Sequence, residues 1–200
     1  MFLSETMLLR RCRVVAQKKG GRAPTLRRSS GLSHVNEAST LPKMVDVGPK
    51  AVTERRAVAE CDVLLPKEVW AALRGDDIVA PKGPVLATAT VAGVAGAKRT
   101  SELVPFCHSL ALDDCQISFE PRESSGALNV RCSVLTHSKT GVEMEALTGA
   151  SVAALCVYDM CKAISHRIVV TDLRLVHKSG GKSGTFDYDA GAEDDDESSS

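Results

Sequence analysis

The segment that most restricts this chain is "KTGVEMEALTGASVAALCVYDMCKAIS", Lys139 to Ser165. From Val142 on it reads as one long helix, apolar almost all the way round, and such a helix is normally buried. Yet Asp159 and Lys162 interrupt it, and Glu143 and Glu145 stand at its front. At about 100° per residue, Thr148, Ser151, Asp159 and Lys162 fall within about a quarter-turn of one another, with Leu155 among them. The polar groups therefore form one narrow stripe, and Asp159 and Lys162, three apart, face the same way. An ordinary surface pair of this kind is worth only about 0.3–0.5 kcal/mol. The apolar flanks point instead to a partly buried pair with shifted pKa values, able to serve as acid and base.

Around this helix the chain alternates strands and helices. "AVAECDVLL" reads as a strand, and "PKEVWAALRG" as a short helix between Pro66 and Gly75. The alanine-rich "KGPVLATATVAGVAGAKRTSELVP" reads as a second helix. "DDCQISFEP" and "ALNVRCSVL" alternate apolar and polar residues, and "RESSG" between them supplies a hairpin turn. "RIVVTDLRLVHK" is a last strand. The pattern predicts an α+β domain: a ferredoxin-like α/β sandwich with an antiparallel sheet packed by helices.

Charge separates this domain from its ends. The chain is neutral overall, but residues 1–30 carry eight Lys or Arg and one acid, whereas residues 187–200 carry seven acids and no base. This predicts three parts: a basic segment (1–30), a globular domain (31–186) and an acidic, solvated tail (187–200). The basic segment is Arg-rich, acid-poor and hydroxyl-bearing, which is the composition of an organellar transit peptide. It predicts the mitochondrial matrix, with the cytoplasm as the alternative if the segment is only a basic arm. No uninterrupted apolar core of a secretory signal is seen, and no membrane span is expected. Seven cysteines without C-x-x-C or zinc-finger spacing read as reduced thiols, mostly small buried apolar groups.

Cations recur in glycine-rich turns and loop ends. Lys82 lies in "APKGP", Lys98 and Arg99 in "GAKRT", Lys139 in "KTG", and Lys178 and Lys182 flank or enter "GGKSG". Each alone is an ordinary solvated lysine or arginine, but together they suit a polyanion such as a small phosphorylated ligand. "GGKSG" lacks the spaced upstream glycine of a Walker A loop. The few aromatics do not interleave with the basic residues, as single-stranded nucleic-acid binding needs, so no nucleic-acid partner is expected. His108, directly after Cys107 in "PFCHSL", is either structural or a donor to a ligand; adjacent residues in an extended segment do not form a Cys–His dyad by themselves.

Long stretches of the chain resemble one family. "MVDVGPKAVTERRAVA", "GPVLATATVAGVAGAKRTSELVPFCHSL", "KTGVEMEALTGASVAALCVYDMCKA" and "HKSGGKSG" are similar to the cyclic pyranopterin monophosphate synthases, the molybdenum cofactor biosynthesis protein C family. The resemblance runs from about Leu32 to Phe186. It implies a ferredoxin-like subunit in a hexamer, a trimer of dimers with sites between subunits. It also implies conversion of a cyclic dihydro-GTP, whose ribose is already joined to the guanine ring, to cyclic pyranopterin monophosphate with release of diphosphate. A purine ring opens, a pterin ring closes and a cyclic phosphate forms, with no redox step. No cofactor is required on this reading, and magnesium accompanying the triphosphate is compatible with it.

By resemblance Asp159 and Lys162 are the catalytic pair and Lys82 moves protons. Phe106, Cys107, His108, Glu143, Met144 and Glu145 bind substrate, and Lys98, Arg99, Lys178 and Lys182 contact phosphate or base. Lys98 and Lys182 are expected to serve the triphosphate more than the proton transfers. Phe106 stands where the family often has leucine, Ser109 where it often has proline, and His137–Ser138 where it often has Thr-Gly. Two other classes fit parts of the pattern: a regulatory nucleotide-binding module without chemistry, and an oligomeric scaffold using the apolar helix as an interface.

Overall fold

The computed structural model describes residues 42–74 and 77–188. The basic segment, Cys12 and the tail from residue 189 on lie outside the described residues. Strand β1 (Thr53–Leu64) leads into a single helical turn, α1 (Lys67–Trp70), and then three short strands, β2 (Leu73–Arg74), β3 (Asp77–Ala80) and β4 (Gly83–Pro84). Helix α2 (Val85–Lys98) and a further turn, α3 (Thr100–Leu103), precede β5 (Asp114–Arg122) and β6 (Ala127–Ser138). The long helix is α4 (Glu143–Cys161), followed by β7 (Val169–Ser179) and β8 (Phe186–Asp187).

The main sheet has the order β5-β6-β1-β7-β8, and every pairing is antiparallel. Period-2 alternation gives it two unlike faces. On β1, Ala57, Ala59, Cys61 and Val63 are fully buried and meet Val130, Cys132 and Val134 of β6 in one core cluster with α4. These are small side chains, so the helix backbone comes close: the Cys61 thiol donates to the carbonyl of Ala150 at 3.7 Å. A Cβ added at Gly149 would stand 2.5 Å from Cys132 Sγ. The opposite face carries Glu60, Asp62, Asn129 and Arg174; Arg174 reaches Glu60 at 2.5 Å and Asn129 reaches Asp62 at 2.8 Å. The result is the expected α+β fold, a five-stranded antiparallel sheet with helices packed on one face.

Three features differ from the sequence reading. The helix expected over "PKEVWAALRG" lasts one turn, because the chain next forms β2–β3–β4, which buries Ile78 and Ala80. The alanine-rich helix starts later and stops earlier than its composition suggests. Gly83 and Pro84 form the short strand β4 instead, and the chain leaves helical geometry at Arg99 (φ −104°, ψ 11°). Helix α4, 19 residues, is long and apolar enough to cross a membrane by length and composition, contrary to the expectation of no such run. It packs on β1, β6, β7 and α2 as a core helix. It is not buried all round: Leu155 remains 60% exposed.

Candidate active site

Two groups of candidate residues stand at the two ends of α4. From Glu143 to Asp159 the helix runs sixteen residues, or about 24 Å at 1.5 Å per residue.

At the C-terminal end, Asp159 holds two lysines. Lys162 Nζ lies 2.7 Å from Oδ1, and Lys82 Nζ lies 2.6 Å from Oδ2 and 3.2 Å from the Asp159 carbonyl. Lys162 caps the helix, where a cation is favoured by the exposed carbonyls. The predicted stripe exists, but as the outward face of α4, with Leu155 upon it. The expectation of a partly buried pair is therefore corrected: the three side chains are each about half exposed. Lys162, then Lys82, pulls the Asp159 carboxyl down to about 2. Asp159 in turn raises Lys162 above the usual lysine value. Both shifts lead away from neutrality, so in the single chain this is an ion triad rather than a tuned acid–base pair.

The N-terminal end is different. Glu145 is 5% exposed, and burial pushes its carboxyl up to about 7, with Glu143 adding to the rise against an opposing backbone hydrogen bond. It shares a cavity of about 280 Å³ with Phe106, Cys107, His108, Glu143 and Met144. Burial, then Glu145, raises the Cys107 thiol above its ordinary value. His108 Nε2 lies 2.8 Å from the Val45 carbonyl, which can only accept, so Nε2 carries the proton. His108 thus has a structural bond while its ring lines the cavity.

A second cavity, about 680 Å³, adjoins the first through Lys50, Thr140, Gly141 and Glu143. Its cations are Lys50, Arg55, Arg56, Lys139, Lys178 and Lys182, against the single carboxylate Glu143. Lys178 pairs with that carboxylate at 3.4 Å, and Lys139 donates to the Gly48 carbonyl at 2.8 Å. The "SGGKSG" turn is glycine-rich for a steric reason. Gly180 and Gly181 have φ of +94° and +74°, and a Cβ at Gly181 would collide with the Arg55 guanidinium. The turn's backbone therefore lies directly against a cation. Six cations in one concave wall can hold a polyphosphate.

The structure thus brings together Phe106, Cys107, His108, Glu143, Met144, Glu145, Lys178 and Lys182 at one end, and Lys82, Asp159 and Lys162 at the other. Lys98 and Arg99 join neither group. Both are exposed at the end of α2 nearer the N-terminal half of α4, where Ala97 packs against Gly149, and line neither cavity. Among the described residues no cluster of three or more His, Cys, Asp or Glu is placed to hold a metal.

Comparison with known proteins decides the family. The MoaC family profile matches residues 44–181. The chain belongs to the MoaC family. It is 50% identical over 159 residues to the cyclic pyranopterin monophosphate synthase of Xanthomonas oryzae, covering 80% of this chain and 95% of that one. The synthase of Pelotomaculum thermopropionicum is 46% identical over 158 residues, 79% of this chain and 91% of the relative. A molybdenum cofactor biosynthesis bifunctional protein of Synechocystis is 46% identical over 154 residues, 75% of this chain and 44% of its own length. Everything described at both ends of α4 falls inside the MoaC match, apart from the last three residues of the "SGGKSG" turn, Lys182 to Gly184, just beyond its edge.

Sequence reasoning missed Lys50, Arg55 and Arg56 as cavity residues. The only local signal was "KAVTERR", a cluster of charge before an apolar strand. What places it at the site is the pairing of β1 with β6 and β7, which sets Thr53 opposite Ser138 and Arg56 opposite Ser179. Those partners precede "KTG" and "GGKSG", so one sheet end gathers three cationic segments.

Proposed function

We propose that this chain is a lyase of molybdenum cofactor biosynthesis, a cyclic pyranopterin monophosphate synthase. On this reading it converts a cyclic dihydro-GTP to cyclic pyranopterin monophosphate and diphosphate. The observation that carries it is the six-cation cavity adjoining the buried Glu145, in a chain half identical to a synthase of that name. The cationic cavity takes the triphosphate. Phe106, Cys107, His108, Met144 and the two glutamates take the base, and Lys82, Asp159 and Lys162 move protons. Preorganised cations and proton donors are what ring opening, ring closure and phosphate cyclisation require. No resident cofactor is invoked; magnesium accompanying the triphosphate is compatible, and a chelator titration tests it.

The separation of about 24 Å exceeds the reach of one nucleotide-sized substrate. We therefore infer that the working site is shared between copies of the chain, one giving the Lys82–Asp159–Lys162 end and another the cavity end, in a closed oligomer such as a trimer of dimers. The exposed apolar Leu155 and Val91 on the outer faces of α4 and α2 support this reading. A partner copy would also desolvate Lys162, driving its pKa down toward the range where an amine shuttles protons.

The test is diphosphate release from the cyclic substrate by the purified protein. Binding without release would leave the alternative, a nucleotide-binding regulatory module, in which Glu145 and the Asp159 triad would have no task. Subunit sharing is tested by co-expressing Lys162→Ala with His108→Ala. Each alone is inactive, and a mixed oligomer recovers roughly a quarter of native sites if they are shared. No recovery returns the site to one chain.

Location rests on other grounds. Residues 1–43 precede the family match, and their first thirty carry the basic composition of a mitochondrial address. The relatives named above are bacterial, which fits the cytoplasmic alternative. A reporter fused to residues 1–40 decides between matrix and cytosol.

A further inference from the structure

We propose that Asp77 is a positioning residue for Lys82: its carboxylate staples the base of the loop that aims this lysine at Asp159. The inference rests on the reading that Lys82 takes part in the proton transfers.

Helix α2 begins after Pro84, which serves as its N-cap without any side-chain acceptor. The first N–H groups of a helix have no partner within it, and an N-cap side chain normally takes those at the second and third positions. Here these are Leu86 and Ala87. Asp77 accepts from both, at 2.7 Å to Oδ1 and 3.1 Å to Oδ2. A carboxylate there also meets the positive end of the helix. The cap of α2 thus comes from nine and ten residues upstream, out of strand β3.

That distance matters for what lies between. Asp77 opens β3; the chain then passes Ala80 and Pro81 to Lys82 and returns through Gly83 and Pro84 into α2. The reversal uses Gly83 at φ +108°. The arms pair only at Val79↔Pro84 and Ala80↔Gly83. The Val79 N–H is turned the other way, to the Ala72 carbonyl at 3.1 Å, so it makes no bond to Pro84. A ladder of only two pairs holds its register weakly, and the Asp77 carboxylate adds a tie between the arms. Lys82, at the tip, then reaches Asp159 at 2.6 Å. Loss of the tie frees the tip, and a misplacement of about 1 Å can cost about 10²-fold in rate.

The experiment compares Asp77→Ala and Asp77→Asn with the parent, at a temperature well below each Tm. Diphosphate release should fall about tenfold or more in kcat for Asp77→Ala, with KM changed far less. Asp77→Asn keeps one acceptor oxygen and should lie between. In parallel, acetylation of Lys82 by a water-soluble active ester is followed by peptide mass spectrometry, with the remaining lysines of the chain as internal reference. Released from Asp159, Lys82 should react several-fold faster in Asp77→Ala. A variant that only lowers Tm, with kcat per folded molecule and Lys82 acetylation both unchanged, overturns the proposal. If Asp77→Ala does not fold, Asp77→Asn carries both measurements. If the parent releases no diphosphate, the functional reading fails, while the acetylation rates still decide whether Asp77 positions Lys82.

Discussion

The two ends of α4 hold carboxylates in opposite states. Asp159, about half exposed between two lysines, is driven down to about 2, whereas Glu145, 5% exposed, is driven up to about 7. Both belong to one 19-residue helix. The difference comes from what each end packs against. The C-terminal end meets a cation-bearing loop in solvent. The N-terminal end is covered by the "PFCHSL" segment and the "KTG" turn. In the single chain, the group poised near neutral pH is therefore Glu145, not the pair that interrupts the apolar helix most visibly. On the shared-site reading, a partner copy that removed water from the Asp159–Lys162 pair would make it an acid–base unit.

The largest expected effect tests that contrast at the exposed end. Lys162→Ala should lose about 10²–10⁴-fold in turnover, and Asp159→Asn a comparable amount. The double variant should be little worse than either, because coupled groups are not additive. Both single variants should melt close to the parent, since the triad is solvent-exposed. Near-normal turnover would reduce the triad to a surface ion bridge. Steady-state diphosphate release with a melting curve for each variant measures this.

The next effect belongs to the buried end. Glu145 ionises at about 4.5 unfolded and about 7 folded. The folded state keeps the proton longer, so this group's contribution is fully present below pH 4.5 and is lost as pH rises through 7. The loss amounts to roughly 3 kcal/mol. Glu145→Gln should flatten the denaturation free energy over that window and stabilise the protein at pH 8. An unchanged pH slope would place the proton elsewhere.

Cation removal should come third. Arg55→Ala and Lys182→Ala each delete a charge-assisted contact of about 1.5–3 kcal/mol, weakening tripolyphosphate binding about tenfold or more. Lys98→Ala, outside both cavities in one chain, sharpens the comparison. A similar loss there would mean that a second copy brings Lys98 to the phosphates. Calorimetric titration with tripolyphosphate reads all three.

The smallest effect separates strain from contact. Gly184 and Gly181 both have positive φ, but only Gly181 touches Arg55. Gly184→Ala should cost about 1 kcal/mol in stability and leave binding unchanged. Gly181→Ala should cost at least as much and also weaken binding by displacing the guanidinium. Equal binding in the two variants would remove Arg55 from the ligand wall.

Much of this molecule is legible in its sequence, and the reasons are local. The period-2 patterns of "DDCQISFEP" and "ALNVRCSVL" with the turn between them specify β5, β6 and the hairpin that joins them. The spacing of Thr148, Ser151, Leu155, Asp159 and Lys162 specifies one stripe on α4. The glycines of "SGGKSG" specify a flexible turn. Short elements were harder to read, because β2, β3, β4 and β8 are two to four residues long and carry too little pattern to compete with helix propensity in their neighbours.

What the sequence determined by itself is which groups exist and which share a face: the Asp159–Lys162 pair, the cationic turns and the two-faced sheet. What only the tertiary structure decided is where those groups meet. Arg55 and Arg56 join Lys139, Lys178 and Lys182 because β1 pairs with both β6 and β7, and such pairing is set by contacts far apart in the chain. Asp77 caps α2 because a proline occupies the local cap position and a distant carboxylate fits. The state of each carboxylate also depends on structure, because a pKa shift measures how much water and which charges surround a group. Packing sets both, and spacing along the chain does not.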